Sequence, residues 1–321
     1  MAHCFFIDHI DKLVIKKDST ILLATTLQNM GIEVYVIFED DFYIDNYNNS
    51  QIEVSEFNSI LEDDQIHIKN FQLTNQKQIK LSENDTIHMR LDPPFDTRYL
   101  RILWMLEFIS KKTGAIILNN PRGIMFNNEK ILAFEQENSL DSFIGNSVKG
   151  FTKFLGDSLK KDVKSIILKP LDLYQGIGVE RLFITQNNID EVVTVFKNKS
   201  ENLNGAIIAQ PFDESIFNGE VRSLYFDGVE LGSILKVPQK NNFLANIAQG
   251  ATYKKHILNK VQEDSCNMVA ESLKEHGVRF IAFDLLGNNL SEVNITCPGL
   301  LVEVSSAFKQ NLAMKICQKL I

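Results

Sequence analysis

The residue types best suited to chemistry sit near the end of the chain, in VRFIAFDLLGNNLSEVNIT, residues 278–296. This stretch reads as a hairpin turning at Gly287-Asn288-Asn289. Alternate residues of a strand share a face. Val278, Phe280, Ala282 and Asp284 therefore fall on one side, and Glu292 and Asn294 share a side on the return strand. The turn can set Asp284 opposite them. Ile281, Phe283, Leu285, Val293 and Ile295 surround them with apolar groups. Two carboxylates and an amide in such company are costly to bury without a compensating charge. A divalent cation such as magnesium supplies one, because it takes oxygen ligands, often one or two carboxylates plus nucleotide phosphates. The same spacing also suits a two-sided hairpin whose polar face meets solvent.

Three basic residues invite a similar question. Lys169 ends the apolar run SIILKP, just before a loop with Gly176 and Gly178. A lysine there can meet a phosphate as a point charge, or simply carry its charge to water. Arg90 lies in MRLDPPFD, where a strand ends, the usual ligand position in an open α/β sheet. Asp92 could hold it in a structural ion pair. Arg222, close to Glu220, could grip a phosphoryl or carboxylate group through paired hydrogen bonds, or stand exposed on its strand. GxxxxGK[ST] is absent, and no GxGxxG follows a strand of the first domain.

The elements that must position these residues follow from periodicity. Residues 3–7, a helix over 19–30 capped by Ser19 or Thr20, and a strand at 33–38 give a β–α–β order. Residues 40–85 are polar and read as an elaborated surface region. A strand at 85–91, a helix at 96–113 and a strand at 115–120 complete the first part, and Pro121 marks a boundary. Beyond it come a helical tendency at 123–140, strands at 165–170 and 179–185, a helix at 188–200 and a strand at 207–212. A hairpin over 221–238 turns at Asp227-Gly228. A helix over 259–276 places Val261, Met268, Val269 and Leu273 at apolar spacing.

Composition narrows the function class. The chain has 321 residues, enough for more than one domain. Its 33 basic and 41 acidic residues give a net charge of −8, which disfavours a nucleic-acid partner. No apolar run is long enough to span a bilayer, and MAHCFFIDHIDK does not read as a signal peptide. Cys4, Cys266, Cys297 and Cys317 are scattered without a CxxC, so a reduced, cytoplasmic protein is expected. The histidines form no HxH or HxxxH pair.

These signals occur together in one family. IKKDST (15–20), MRLDPPFDTRYL (89–100), NNPRGIMFNNEKILAF (119–134), IILKPLD (166–172), AQPF (209–212), GEVRSLYFDGVELGSILKVP (219–238) and FDLLGNNLSEVNITCPG (283–299) run in that order along almost the whole chain. The sequence resembles the prokaryotic glutathione synthetases, members of the ATP-grasp superfamily. The resemblance implies mixed α/β and α+β classes: an N-terminal Rossmann-like parallel-sheet domain, then a two-subdomain ATP-grasp fold. The expected divisions are 1–120, 121–205 and 206–321. It implies that Lys130 and Lys169 contact nucleotide phosphates, and that Gln210, Pro211, Phe212 and Asp213 form the adenine hinge. Pro211 can offer only its carbonyl there, so a donor must come from a neighbour such as Asp213. Asn246, in a later loop, would also face the nucleotide. Asp284, Glu292 and Asn294 would hold Mg2+ or Mn2+. Arg222 would act on the transferring phosphoryl group. Arg90 and the stretch Lys17, Asp18 and Ser19 would face the peptide substrate.

The implied reaction joins γ-glutamylcysteine to glycine through an acyl phosphate, with ATP consumed. Small-molecule substrates and a homo-oligomer are expected, with no nucleic acid or membrane. Three places depart from the family pattern. Leu173-Tyr174-Gln175-Gly176 stands where GMGG is usual. Asn246–Tyr253 replaces a loop resembling NLAAGGRG. Val302 precedes Glu303 where an arginine is usual. These changes point toward a ligase with a different acid or amine as one alternative, and a catalytically weak ATP-binding protein as another.

Overall fold

Residues 1–47, 51–240 and 242–321 are described by a computed structural model of the chain. The N-terminal part comprises β1 (Ala2–Phe6), α1 (Ser19–Asn29), β2 (Glu33–Ile37), β3 (Gln51–Leu61), β4 (Ile68–Lys80), β5 (Thr86–Met89), α2 (Thr97–Thr113) and β6 (Ile116–Leu118). Its strands form one sheet in the order β4-β3-β2-β1-β5-β6. β1, β2, β5 and β6 are parallel. β1 is buried along its length, as a central strand covered on both faces must be.

Two expectations change here. The polar region at 40–85 is largely a long hairpin, β3 and β4, that extends the sheet by antiparallel pairing. Most β4 side chains are exposed, so its apolar signal is weak and the ladder holds it instead. The cap of α1 is Asp18, not Ser19 or Thr20: its carboxylate accepts from Thr20 N and Ile21 N, both at 2.8 Å. α2 matches its signals, with Asp96 as cap and Gly114 left-handed at its end.

The middle part holds α3 (Pro121–Phe126), α4 (Glu129–Phe134), β7 (Phe143–Gly145), α5 (Val148–Lys160), β8 (Ser165–Pro170), β9 (Glu180–Phe183), α6 (Ile189–Asn202) and β10 (Ile207–Pro211). The helical tendency at 123–140 splits because Asn128 caps a new helix, accepting from Lys130 N at 3.0 Å. The strands form an antiparallel sheet, β7-β10-β8-β9. α5 and α6 cover it with a separate core that includes the stacked Phe151 and Phe196.

The last part comprises β11 (Glu220–Phe226), β12 (Val229–Val237), β13 (Thr252–His256), α7 (Lys260–Glu275), β14 (Phe280–Leu286), β15 (Asn289–Asn294), α8 (Leu301–Phe308) and α9 (Ala313–Cys317). Its sheet runs β13-β12-β11-β14-β15, all antiparallel. α7 buries Gln262, Cys266, Val269, Ala270 and Leu273, whereas Val261 and Met268 are exposed, contrary to the sequence reading. The buried stripe is centred one side of that expected, because Gln262 turns inward to donate to Gly287 O at 2.7 Å.

The first and third sheets share one core. Phe5 of the first sheet and Ile21 and Leu27 of α1 pack in the same cluster as Leu224, Phe226, Ile234, Phe280 and Ala282 from the third, joined by α8 and α9. Asn119, just after β6, ties the join. Its amide nitrogen donates to Phe280 O at 2.7 Å and Ile295 O at 2.8 Å, and its oxygen accepts from Arg279 N and Phe280 N, both at 2.9 Å. Asn119→Ala strands four backbone groups in the interior. The expected cost is at least about 3 kcal/mol, read as a fall in the thermal midpoint of at least about 5 °C. A midpoint within a degree of wild type would show that water or relaxation replaces the amide.

Candidate active site

One face of the third sheet changes character along its length. Phe226 and Leu224 on β11 pair with Phe280 and Ala282 on β14, and all four lie in the shared core. Two residues further along, the same pleat brings Arg222 opposite Asp284. β15 sets Glu292 opposite Asp284 and Asn294 opposite Ala282, with Ser291 as the extra residue of a bulge. The face predicted for Asp284, Glu292 and Asn294 is therefore the one observed. Val278 departs from it and packs in the opposite core, because the strand begins only at Phe280.

Asp284 is buried, Glu292 and Glu220 are half-buried, and all three are paired. Asp284 accepts from Arg222 Nε at 2.8 Å and Nη2 at 2.6 Å, and from Lys236 Nζ at 3.0 Å. Burial pushes its carboxyl up, but the two cations outweigh burial and hold it at about 2. Lys236 also reaches Glu220 at 2.7 Å, yet burial leaves Glu220 above the usual carboxylate range. Glu292 pairs with Lys130 at 2.9 Å, and the lysine charges outweigh burial to keep its carboxyl low. Asn294 Nδ2 lies 3.4 Å from Asp284 Oδ2.

Lys130 comes from α4 and also donates to Leu173 O at 2.8 Å. Its neighbour Glu129 accepts from Ile295 N, Thr296 N and Thr296 Oγ1 at 2.8–3.0 Å. Burial and the charge of Glu292 push its carboxyl up. Lys169, on β8, has no carboxylate within ion-pair distance among the described residues. Burial pushes its ammonium below the usual lysine range.

Every residue singled out in the sequence lines one cleft of about 470 Å³ between the three sheets. Gln210, Pro211, Phe212 and Asp213 lie at one end. Gln210 Nε2 donates to Ser142 Oγ at 2.7 Å, and its Oε1 is buried without a partner. Phe212 N donates to Ser165 O at 2.9 Å, so that donor is already used. Asp213 accepts from Ser215 N at 2.8 Å. Arg90, Lys17, Asp18 and Ser19 lie at the other end. Arg90 donates to Thr20 Oγ1 at 3.0 Å and Pro298 O at 2.8 Å. It makes no ion pair with Asp92 among the described residues, so that expected structural pair is absent. Asp92 instead donates its backbone N–H to Asp8 at 2.9 Å. Asp18 is committed to its helix cap, Ser19 Oγ accepts from Leu301 N at 2.9 Å, and Lys17 is exposed at the mouth.

The two unusual loops meet over the cleft. Asn246 Nδ2 donates to Gln175 O at 3.0 Å, and its Oδ1 accepts from Ala248 N at 2.9 Å. Gly176 is left-handed and lies against Leu244, where a Cβ would come within 3.2 Å. The segment at 246–253 is thus a short turn leading into β13, rather than loop throughout. Sequence reasoning passed over Lys236, Glu129 and Glu303 as cleft residues. A lysine at the position of the 221–238 hairpin facing Glu220 was the available signal for the first; the others depend on tertiary contacts.

The oxygen donors fit a divalent ion. Among the described residues no group of three or more acidic, histidine or cysteine side chains is arranged to hold a metal. Two carboxylates and an amide do suit an ion that arrives with nucleotide phosphates completing its shell. The cations now on Asp284 and Glu292 supply the balancing charge.

The unpaired Lys169 generates a pH prediction. Its ammonium is lowered in the free protein, and a bound phosphate would raise it again. ATP binding should therefore take up protons in alkaline buffer, approaching about one per site, and should weaken as pH rises through the lowered value. Calorimetry in buffers of different ionisation enthalpy measures this. Lys169→Gln should abolish the uptake and weaken binding about 10-fold or more; uptake unchanged in that variant would remove Lys169 from the phosphate end.

Comparison with known proteins agrees with this geometry. The description "Prokaryotic glutathione synthetase, N-terminal domain" matches residues 1–125, and "Prokaryotic glutathione synthetase, ATP-grasp domain" matches 132–309. Glutathione synthetase of Vibrio vulnificus strain YJ016 is 30% identical, covering 96% of this chain and 93% of its own length. That of Vibrio parahaemolyticus is 29% identical, covering 96% and 94%. Among solved structures, D-cycloserine synthetase DcsG aligns over 99% of this chain and 100% of its own, with 14% identity and a TM-score of 0.68. The ATP-grasp ligase PsnB aligns over 99% and 97%, with 14% identity and a TM-score of 0.58. The fold is that of the ATP-grasp ligases, and the chain belongs to the prokaryotic glutathione synthetase family.

Proposed function

We propose that this chain joins the cysteinyl carboxylate of γ-glutamylcysteine to the amine of glycine, forming glutathione with release of ADP and phosphate. Membership of the family makes it an ATP-dependent ligase that uses a divalent metal. The observation that carries the specific reading is a single cleft. It holds a half-buried lysine, Lys169, with no ion pair among the described residues, a carboxylate face suited to a metal, and an arginine-lined end remote from the hinge.

The substrate carboxylate oxygen attacks the γ-phosphorus of ATP, and the bond to the β-phosphate bridging oxygen breaks. The amine nitrogen then attacks the acyl carbon, phosphate departs with its electron pair, and the nitrogen sheds a proton. Positioning and charge stabilisation carry most of such a transfer. We assign Lys130 and Lys169 to the phosphates, the backbone of residues 210–213 to adenine, and Asn246 to the loop over the nucleotide. Asp284, Glu292 and Asn294 are assigned to the metal, Mg2+ or Mn2+, which would neutralise charge on the phosphates when bound. Arg222, released from Asp284, would grip the transferring phosphoryl group through its planar fork. Arg90, Lys17, Asp18 and Ser19 are assigned to the peptide end. The contact between the loops at Gln175 and Asn246 would exclude water from a hydrolysable acyl phosphate.

In this reading the divisions fall at 120 and, since β10 completes the second sheet, after 212 rather than 205. No helix among the described residues is long and apolar enough to cross a membrane. We expect a cytoplasmic homo-oligomer. The altered loop at 173–176 packs over the cleft and favours, as the second reading, a ligase for another acid or amine.

Phosphate release from ATP and Mg2+ tests the reaction, with γ-glutamylcysteine and glycine added separately and together. Release that requires both, with glutathione detected by mass, is the expected outcome. ATP binding without that release sends the assignment to other substrates. Glu292→Gln should lower metal-dependent turnover by at least about 10-fold while the thermal midpoint stays near wild type. Unchanged turnover would take Glu292 out of the metal site.

A further inference from the structure

At the end of the cleft remote from the hinge, α8 starts against the start of α1. Ser19 Oγ accepts from Leu301 N at 2.9 Å and pins the two helix starts together. Glu303 lies in the first turn of α8 and lines the cleft. A glutamate at a helix start normally faces water, which satisfies its oxygens. Glu303 is only 6% exposed, and its Oε2 is buried with no hydrogen-bond partner among the described residues. Burial pushes its carboxyl up, and its own backbone N–H, then Lys17 and His67, offset this only in part. His67 is engaged elsewhere, with Asp64 at 2.6 Å. Lys17 makes no ion pair among the described residues. A buried carboxylate oxygen left without a donor is costly, and a ligand that donates hydrogen bonds removes the cost.

The charges nearby say which ligand. Lys17 and Arg90 are positive, and Asp18 and Glu303 are negative, all lining the same end. A purely anionic ligand would meet Glu303, and a purely cationic one would meet Lys17 and Arg90. A zwitterion satisfies both signs. A γ-linked glutamyl group has this form, because its α-ammonium and α-carboxylate are both free on the same carbon. An α-linked peptide keeps the ammonium but spends the adjacent carboxylate in the peptide bond.

We propose that Glu303 is a specificity residue that receives the free α-ammonium group of the acid substrate, while Lys17 faces the carboxylate beside it. This rests on the ligase reading above. It makes the remote end of the cleft a reader of the γ-linkage, separate from the groups that act on the phosphates.

The test compares γ-glutamylcysteine with its des-amino analogue, glutarylcysteine, in the full-length wild-type enzyme and in Glu303→Gln. Wild type should prefer the amino-bearing acid by about 10- to 100-fold in kcat/KM, mostly through KM. Glu303→Gln should shrink that preference to about threefold or less, by losing the amino-bearing acid and sparing the analogue, with the KM for ATP unchanged. Glu303→Asp should restore part of the preference. A preference equal in wild type and Glu303→Gln, or none in wild type, overturns the proposal. Calorimetric binding of both acids beside a non-hydrolysable ATP analogue separates this from the reaction itself. The same pattern in binding without glutathione formation keeps Glu303 and rejects the reaction; binding of neither acid rejects both. Should Glu303→Gln not fold, Glu303→Asp decides: a reduced preference supports the proposal, and one equal to wild type overturns it.

Discussion

The buried charge of Asp284 is the constraint around which the site is arranged. A carboxylate on a sheet interior is tolerable only if cations reach it. Arg222 does so from the strand on one side and Lys236 from the strand beyond, because the antiparallel register stacks all three on one face. Glu292, delivered opposite by the bulge at Ser291, demands its own partner and takes Lys130 from α4. Each charge thus recruits a different element, and the cleft forms where those elements converge. In the proposed reading, a metal and phosphates entering here would exchange partners with charges already balanced, so the reorganisation would be one of pairing rather than of net burial.

The cores show how the parts that hold the site are packed. The first and third sheets are fused through one apolar cluster and the Asn119 amide, which makes Arg90, Asp284 and Glu303 parts of a common frame. The second sheet has its own core, so Lys169 and the hinge belong to a separately packed unit. That unit meets the frame through loops: Lys130 on Leu173 O, Asn246 on Gln175 O, and Phe95 N on Asp172 O at 3.0 Å. Apolar contacts of Gly176 with Leu244 and of Phe212 with Phe243 join these hydrogen bonds. The loops that depart from the family pattern are among those that make them, which suits a chain that keeps the reaction face while adjusting what closes over it.

Most strand positions, most helices and the shared face of Asp284, Glu292 and Asn294 were legible in the chain itself. A period of two fixes which side chains share a pleat, so Asp284, Glu292 and Asn294 could be grouped before any contact was known. Asp96 and Gly114 bound α2 by local chemistry alone. The polar hairpin of β3 and β4 was not legible, because its stability comes from cross-strand hydrogen bonds that leave no apolar pattern. The exposed Val261 and Met268 misled for the related reason that a stripe on paper has no partner to say which side it faces.

Since motif spacing and strand alternation are local properties, the order of residues by itself determined the family, the ATP-grasp architecture and many of the side chains that line the cleft, though not Lys236, Glu129 or Glu303. Tertiary structure decided the pairings. Arg90 finds Thr20 and the carbonyl of Pro298 rather than Asp92, and Asp18 serves a helix cap. Glu303 Oε2 lies buried without a donor among the described residues, across a join of helices that are distant in the chain. Which charge meets which depends on distances of a few ångströms between elements, and only the packing of the shared core sets those distances.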